Sequence, residues 1–246
     1  MIRKIKLLIE YDGTNYRGWQ VQAQGETIQG VIEERLARIL GEPVRLVGSG
    51  RTDAGAHACG QVAHFTTRKG LDLSSLHRAL NSLLPEDILV LKVEEVDEAF
   101  HARRGVKSKI YEYRILNRPL RPVFDRFYAW HIPYPLDWEE VKRATQRLVG
   151  RHDFSAFRST GSPAKSAIRE VFRAEWREGG EGLMRFQIEA NGFLKQMVRA
   201  IVGTLIEVGK GKIDAEGFQR VIDSKDRRMA GPTAPAHGLF LKEVKY

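Results

Sequence analysis

The chain has 246 residues, 42% of them hydrophobic, enough to bury a core as one large domain or two small ones. Its net charge of +9 points to a polyanionic partner, nucleic acid first, while a single cysteine, Cys59, excludes an intrachain disulfide framework and fits a reducing cytoplasm. No run of about 18 uncharged apolar residues exists, which excludes a membrane span, and the opening MIRKIKLLIEYDG reads as a strand rather than a signal peptide.

Ile5, Leu7, Ile9 and Tyr11 alternate along a first strand, which Asp12-Gly13-Thr14 breaks into a polar, aromatic loop reaching Gln20. Thr27 caps a helix whose apolar stripe is Ile28, Val31, Ile32, Leu36, Ile39 and Leu40, and Gly41 and Pro43 end it. Residues 44–47 and 61–65 read as strands. Between them, residues 48–60 hold four glycines, so this segment is expected to be a loop pinned at both ends. A helix from about Ser74, carrying Leu76, Leu80, Leu83 and Leu84, stops at Pro85, and residues 88–96 form a fourth strand.

The second half repeats the order. Residues 107–116 read as a strand, followed by a connection rich in proline (Pro119, Pro122, Pro133, Pro135). Asp137 and Glu140 suit a capping box for a helix with Val141, Ala144, Leu148 and Val149. Strands near 169–177 and 183–190 flank a glycine turn, residues 193–208 form an apolar helix, and Asp214 caps a short helix with Phe218, Val221 and Ile222. Residues 238–246 supply the last strand. The expected fold is therefore α+β: two consecutive ferredoxin-like βαββαβ halves, 1–105 and 106–246, in a large mixed, mainly antiparallel sheet with helices on one side and a central active-site cleft. Lys and Arg balance Asp and Glu, 14 each, over residues 1–105. The whole excess of positive charge thus falls on the second half, which is expected to bind RNA.

Residues 48–60 concentrate the chemistry, because a glycine-rich loop on a rigid scaffold presents Arg51, Asp53 and His57 to a ligand. Taken locally, Asp53 could close an Asx-turn, Arg51 could be a solvated charge, and His57 could be a satisfied core residue. Arg199 on the apolar helix suits a snorkelling surface arginine, Tyr111 a core-packing strand aromatic, and Leu239 a core leucine. His57 and Cys59 are expected to be structural. No phosphate loop, Rossmann fingerprint or metal-ligand cluster is present in the sequence.

Seven ordered blocks change that balance. Tyr11-Asp12-Gly13-Thr14-Asn15-Tyr16-Arg17-Gly18-Trp19-Gln20, Arg51-Thr52-Asp53-Ala54-Gly55-Ala56-His57-Ala58, Phe100-His101-Ala102-Arg103, Tyr111-Glu112-Tyr113, the stretches 152–157 and 191–199, and Ala234-Pro235-Ala236-His237-Gly238-Leu239 span nearly the whole chain. Together they resemble the TruA-type tRNA pseudouridine synthases, with Ala56 standing where valine is usual. The resemblance implies isomerisation of uridine in the tRNA anticodon stem-loop, at positions 38–40, by a cytoplasmic homodimer that needs no cofactor or metal. It implies that Asp53 is the nucleophile, that Arg199 pairs with it, and that Tyr111 lies against the target base with a role in proton transfer. Arg51 would hold the RNA and the extruded nucleotide, and Leu239 would wall the pocket. Lys165, Arg169, Arg173, Lys195, Arg227 and Arg228 are candidates for phosphate contacts. Two alternatives stay open: a non-catalytic RNA-binding protein on the same scaffold, and a hydrolase using Asp53, which lacks a second nearby carboxylate for a two-metal site.

Overall fold

A computed structural model describes residues 2–161 and 164–246. They form five helices and ten strands in an α+β arrangement, divided into two compact units: Met1–Lys107 with Phe240–Tyr246, and Ser108–Leu239.

In the N-terminal unit, β1 (Arg3–Tyr11) runs antiparallel to both β3 (His57–Thr67) and β4 (Ile88–Val96). The short β2 (Val47–Gly48) pairs antiparallel with β3. The spatial order β4-β1-β3-β2 is that of a ferredoxin-like half. Helix α1 (Ile28–Leu40) begins where the Thr27 side chain accepts the Gly30 N–H at 3.3 Å, and ends at Gly41, whose φ of 65° is left-handed. Its buried stripe includes Ile28, Ile32, Leu36 and Leu40, and each such side chain contributes roughly 1.5–3 kcal/mol over an exposed one. Asp72 caps α2 (Leu73–Leu83), whose Leu76 and Leu80 are buried.

The C-terminal unit holds the antiparallel run β5 (Ser108–Asn117), β9 (Leu183–Ala190), β8 (Ile168–Glu178) and β7 (Gly150–Asp153), with β6 (Trp130–Ile132) parallel to β5. Strands β6 and β7 were not anticipated. They are three and four residues long, too short for an alternating pattern to register. Helix α3 (Trp138–Gln146) makes half of the expected capping box: Asp137 accepts the Glu140 N–H at 3.0 Å, but Glu140 accepts the Ala215 N–H at 2.7 Å instead of reaching back. That second bond ties α3 to α5 (Ala215–Ser224). Helix α4 (Met197–Gly209) is buried on nearly every side.

Three expectations need correcting. Residues 57–60 belong to β3 rather than to the loop, because His57 and Ala58 pair with Phe240 and Leu241. Residues 193–196 are not helical. Gln196 sits at φ 61°, ψ 9°, so the chain leaves β9 through a connector before α4 starts. Finally, a cut at 105/106 misassigns the last strand, β10 (Leu239–Lys245). From Phe240 onward it belongs to the N-terminal unit, where it runs parallel to β3 along the stretch of edge that β2 leaves uncovered.

Candidate active site

Asp53 stands on the loop between β2 and β3, half-buried beside the exposed Ala54 and the buried Thr52. The loop has little regular structure of its own, and its shape is imposed by the arch 12–20 that follows β1. The Trp19 N–H donates to the Thr52 carbonyl at 3.2 Å, and the Gly55 N–H donates to the Tyr16 carbonyl at 3.3 Å. A side chain is impossible where arch and loop touch. A Cβ on Gly13 would sit 1.9 Å from the Ala56 oxygen, and one on Gly18, at φ 90°, 2.6 Å from the Thr52 oxygen. The loop closes on itself through the Ala56 N–H to the Asp53 carbonyl, 3.1 Å.

Buried polar side chains fix both ends. Gln61, fully buried on β3, accepts from Ser49 Oγ at 2.7 Å and donates to the Gly50 carbonyl at 3.1 Å. Gln29 of α1 accepts from Gln20 Nε2 (2.9 Å) and the Val21 N–H (3.2 Å), and donates to the Leu46 carbonyl at 3.1 Å. At the root of the arch, His57 Nδ1 lies 3.1 Å from the Gly13 nitrogen and 3.0 Å from Asp12 Oδ1, with its ring stacked on Phe240 at 4.6 Å between centroids. Sequence reasoning did not single out Gln61 or Gln29. Their only signal is an amide set among strand and helix positions that are otherwise apolar. Arg51 is exposed, and its Nε donates to Gln20 Oε1 at 3.1 Å.

The other expected residues lie in the C-terminal unit. Tyr111 is buried on β5, edge-on to Phe193 of the connector with centroids 4.8 Å apart. Arg199 is in the first turn of α4, where its Nε donates to the Ala234 carbonyl at 2.7 Å. Two residues along from Tyr111, Tyr113 donates to the Pro235 carbonyl at 2.7 Å, and burial pushes its phenol well above the usual range while the Arg199 charge opposes the shift. Leu239 is buried at the start of β10.

The basic candidates do not form one group of like character. Arg169 Nη1 donates to the carbonyls of Ser166 (3.0 Å) and Ile168 (2.6 Å); burial, then the neighbouring Arg158, lowers its pKa. Lys195 Nζ reaches the Thr160 carbonyl at 3.4 Å, and Lys165 is exposed. Arg173 faces Glu175 at 3.5 Å, and Arg228 is paired with Asp226 at 2.7 Å. Arg227 is turned onto its own chain. No group of three or more His, Cys, Asp or Glu side chains suited to a metal ion occurs among the described residues, nor is any of their helices long and apolar enough to cross a membrane.

The N-terminal unit thus carries a carboxylate on a braced loop within a sheet of ferredoxin-like strand order, and the class of the protein follows from its similarity to known proteins. The family model for tRNA pseudouridine synthases matches residues 7–103 and 144–246, and the chain belongs to that family. Among individual proteins, it is similar to tRNA pseudouridine synthase A of Thermoanaerobacter sp., 47% identical over 245 residues with 100% of both chains covered. The protein of the same name from Acetivibrio thermocellus is 46% identical with the same coverage, and that from Bacillus pumilus 45% identical over 99% of each chain.

Proposed function

We propose that this isomerase converts uridine to pseudouridine on the 3′ side of the tRNA anticodon stem-loop, with the Asp53 carboxylate as nucleophile. The reaction breaks the N1–C1′ bond, turns the freed uracil, and joins C5 to C1′; the proton on C5 is then released and N1 takes one up, so the product is an isomer of the substrate. An ionised carboxylate at the sugar–base junction supplies the covalent or electrostatic help that the first step requires. Arg199 pairs with the Asp53 carboxylate and orients it. Tyr111 lies against the base and handles the C5 proton, and Leu239 forms an apolar wall. Arg51 holds the extruded nucleotide, whose unstacking costs a few kcal/mol. The enzyme acts in the cytoplasm as a homodimer, without a cofactor.

The observation that carries this reading is the bracing of the Asp53 loop: Thr52 and Gly55 bond to the arch, and Ser49 and Gly50 to Gln61 of β3, which is what a preorganised reacting group needs. Full-length similarity to tRNA pseudouridine synthases supplies the reaction class. The test is tritium release from tRNA labelled at uridine C5, using purified protein with no additions. Release is expected from the unaltered enzyme, and Asp53→Asn is expected to abolish it while tRNA binding stays within a few-fold. Unchanged turnover in that variant would refute the assignment.

A further inference from the structure

We infer that Arg227 is a positioning residue for Arg199, acting through residues 230–234, and is not a phosphate contact. The inference rests on the proposed role of Arg199. Residues 230–235 have no helix or strand of their own, so their path is set by the bonds along them. Arg227 makes the first set: Nη1 donates to the carbonyls of Ala230 (3.3 Å) and Gly231 (3.0 Å), and Nη2 to Thr233 Oγ1 (2.9 Å). The strap then lies directly on α4. A Cβ on Gly203 would fall 1.7 Å from the Pro232 oxygen, and one on Gly231 2.9 Å from Thr204 Cα. Thr204 Oγ1 accepts the Gly231 N–H at 2.9 Å.

The next residue meets Arg199. The Ala234 N–H donates to the Arg199 carbonyl at 3.1 Å, and Arg199 Nε donates to the Ala234 carbonyl at 2.7 Å. A bond at Nε fixes the plane of a guanidinium and the direction in which its two terminal nitrogens face. That plane depends on where the Ala234 carbonyl stands, and Arg227 holds the strap that presents it. One step further, Tyr113 secures Pro235, and the chain runs on to Leu239. The forked reach of Arg227 to three acceptors is work an arginine does and a lysine does not.

Lysine substitution separates the two roles, because it keeps the charge and loses the fork. Arg227→Lys and Arg227→Ala would be assayed for kcat, KM, melting temperature, and the salt dependence of tRNA binding, beside Arg199→Ala and the Arg199→Ala/Arg227→Ala double variant. In both Arg227 variants kcat is expected to fall about tenfold or more with KM within roughly threefold, and the double variant to be no more than about twofold slower than Arg199→Ala in single turnover. The salt slope is expected to stay unchanged. A slope lowered in the alanine variant but kept in the lysine variant, with kcat intact, would make Arg227 a phosphate contact. A lowered melting temperature with kcat intact, or fully additive losses in the double variant, would leave it a purely structural residue; either result overturns the inference. Normal turnover in Arg199→Ala would instead refute the role of Arg199 itself.

Discussion

The hydroxyl of Tyr11, at the end of β1, meets the hydroxyl of Thr52 at 2.7 Å in the interior of the N-terminal unit. Both residues are buried, and burial raises the Tyr11 phenol pKa so that it stays protonated. The contact fixes the residue immediately before Asp53. Tyr11→Phe should cost about 1–3 kcal/mol in urea unfolding, because it leaves a buried Thr52 hydroxyl short of a partner. The same variant should lower kcat, with tRNA binding preserved. A variant with unaltered stability and turnover would show that the bond does not hold the loop.

Gly18 permits the closest approach of the arch to the Asp53 loop. Gly18→Ala combines a left-handed φ of 90° with a Cβ 2.6 Å from the Thr52 oxygen and 3.1 Å from the Ala54 nitrogen. Strain and overpacking together should destabilise the fold by about 2–4 kcal/mol and cut activity at a temperature where the variant is still folded. Gly70→Ala is the control, since nothing lies within 4 Å of a Cβ there, and it should be near neutral.

Acid should weaken the N-terminal unit through His64. Burial, reinforced by the charges of His101 and Lys4, lowers its pKa from 6.5 to about 4, and Nδ1 accepts the Ala102 N–H at 3.2 Å. The folded state therefore binds this proton less readily than the unfolded state. The contribution of His64 is fully present above pH 6.5 and is lost as pH falls toward 4. His64→Asn keeps an acceptor for Ala102 but does not titrate. Denaturation curves should show wild type losing stability relative to this variant across that interval, and parallel pH profiles would contradict the assignment.

Lys165 and Lys195 are the lysines among the proposed RNA contacts. Replacing either with alanine should reduce the slope of log affinity for tRNA against log salt by roughly 0.7–0.9 if it neutralises one phosphate. Because Lys195 also touches the Thr160 carbonyl, its variant needs a melting curve alongside the titration. A slope equal to wild type would remove that lysine from the interface.

Much of this architecture was legible because its signals are local. Thr27 before Ile28 and Gly41 after Leu40 bound α1 by capping chemistry alone, and Asp137 and Asp214 do the same for the starts of two more helices. The start of α4 was not legible. Residues 193–196 are as suitable for a helix as those that follow, and only the tertiary setting holds Gln196 left-handed. The partner of β10 was equally hidden, since the pairing of Phe240 with His57 joins residues far apart in the chain.

The site divides in the same way. Asp53 stood out because motif and loop composition coincide. Gln61 and Gln29 did not, because a buried amide bridging two backbone segments leaves no pattern in its own neighbourhood. Arg227 reads as surface charge in a basic half, and only the positions of three acceptors three to six residues away give it a different task.

The parallel pairing of β10 with β3 gives the molecule a built-in order of assembly. Residues 240–246 are translated long after the rest of the unit they complete, so a nascent chain carries β3 with its His57 and Ala58 edge uncovered while the C-terminal unit is still being made. Such an edge invites pairing with other chains. A message interrupted before codon 240 would yield a polypeptide in which the ring beside His57 never arrives, and the arch over Asp53 would lose the support at its base.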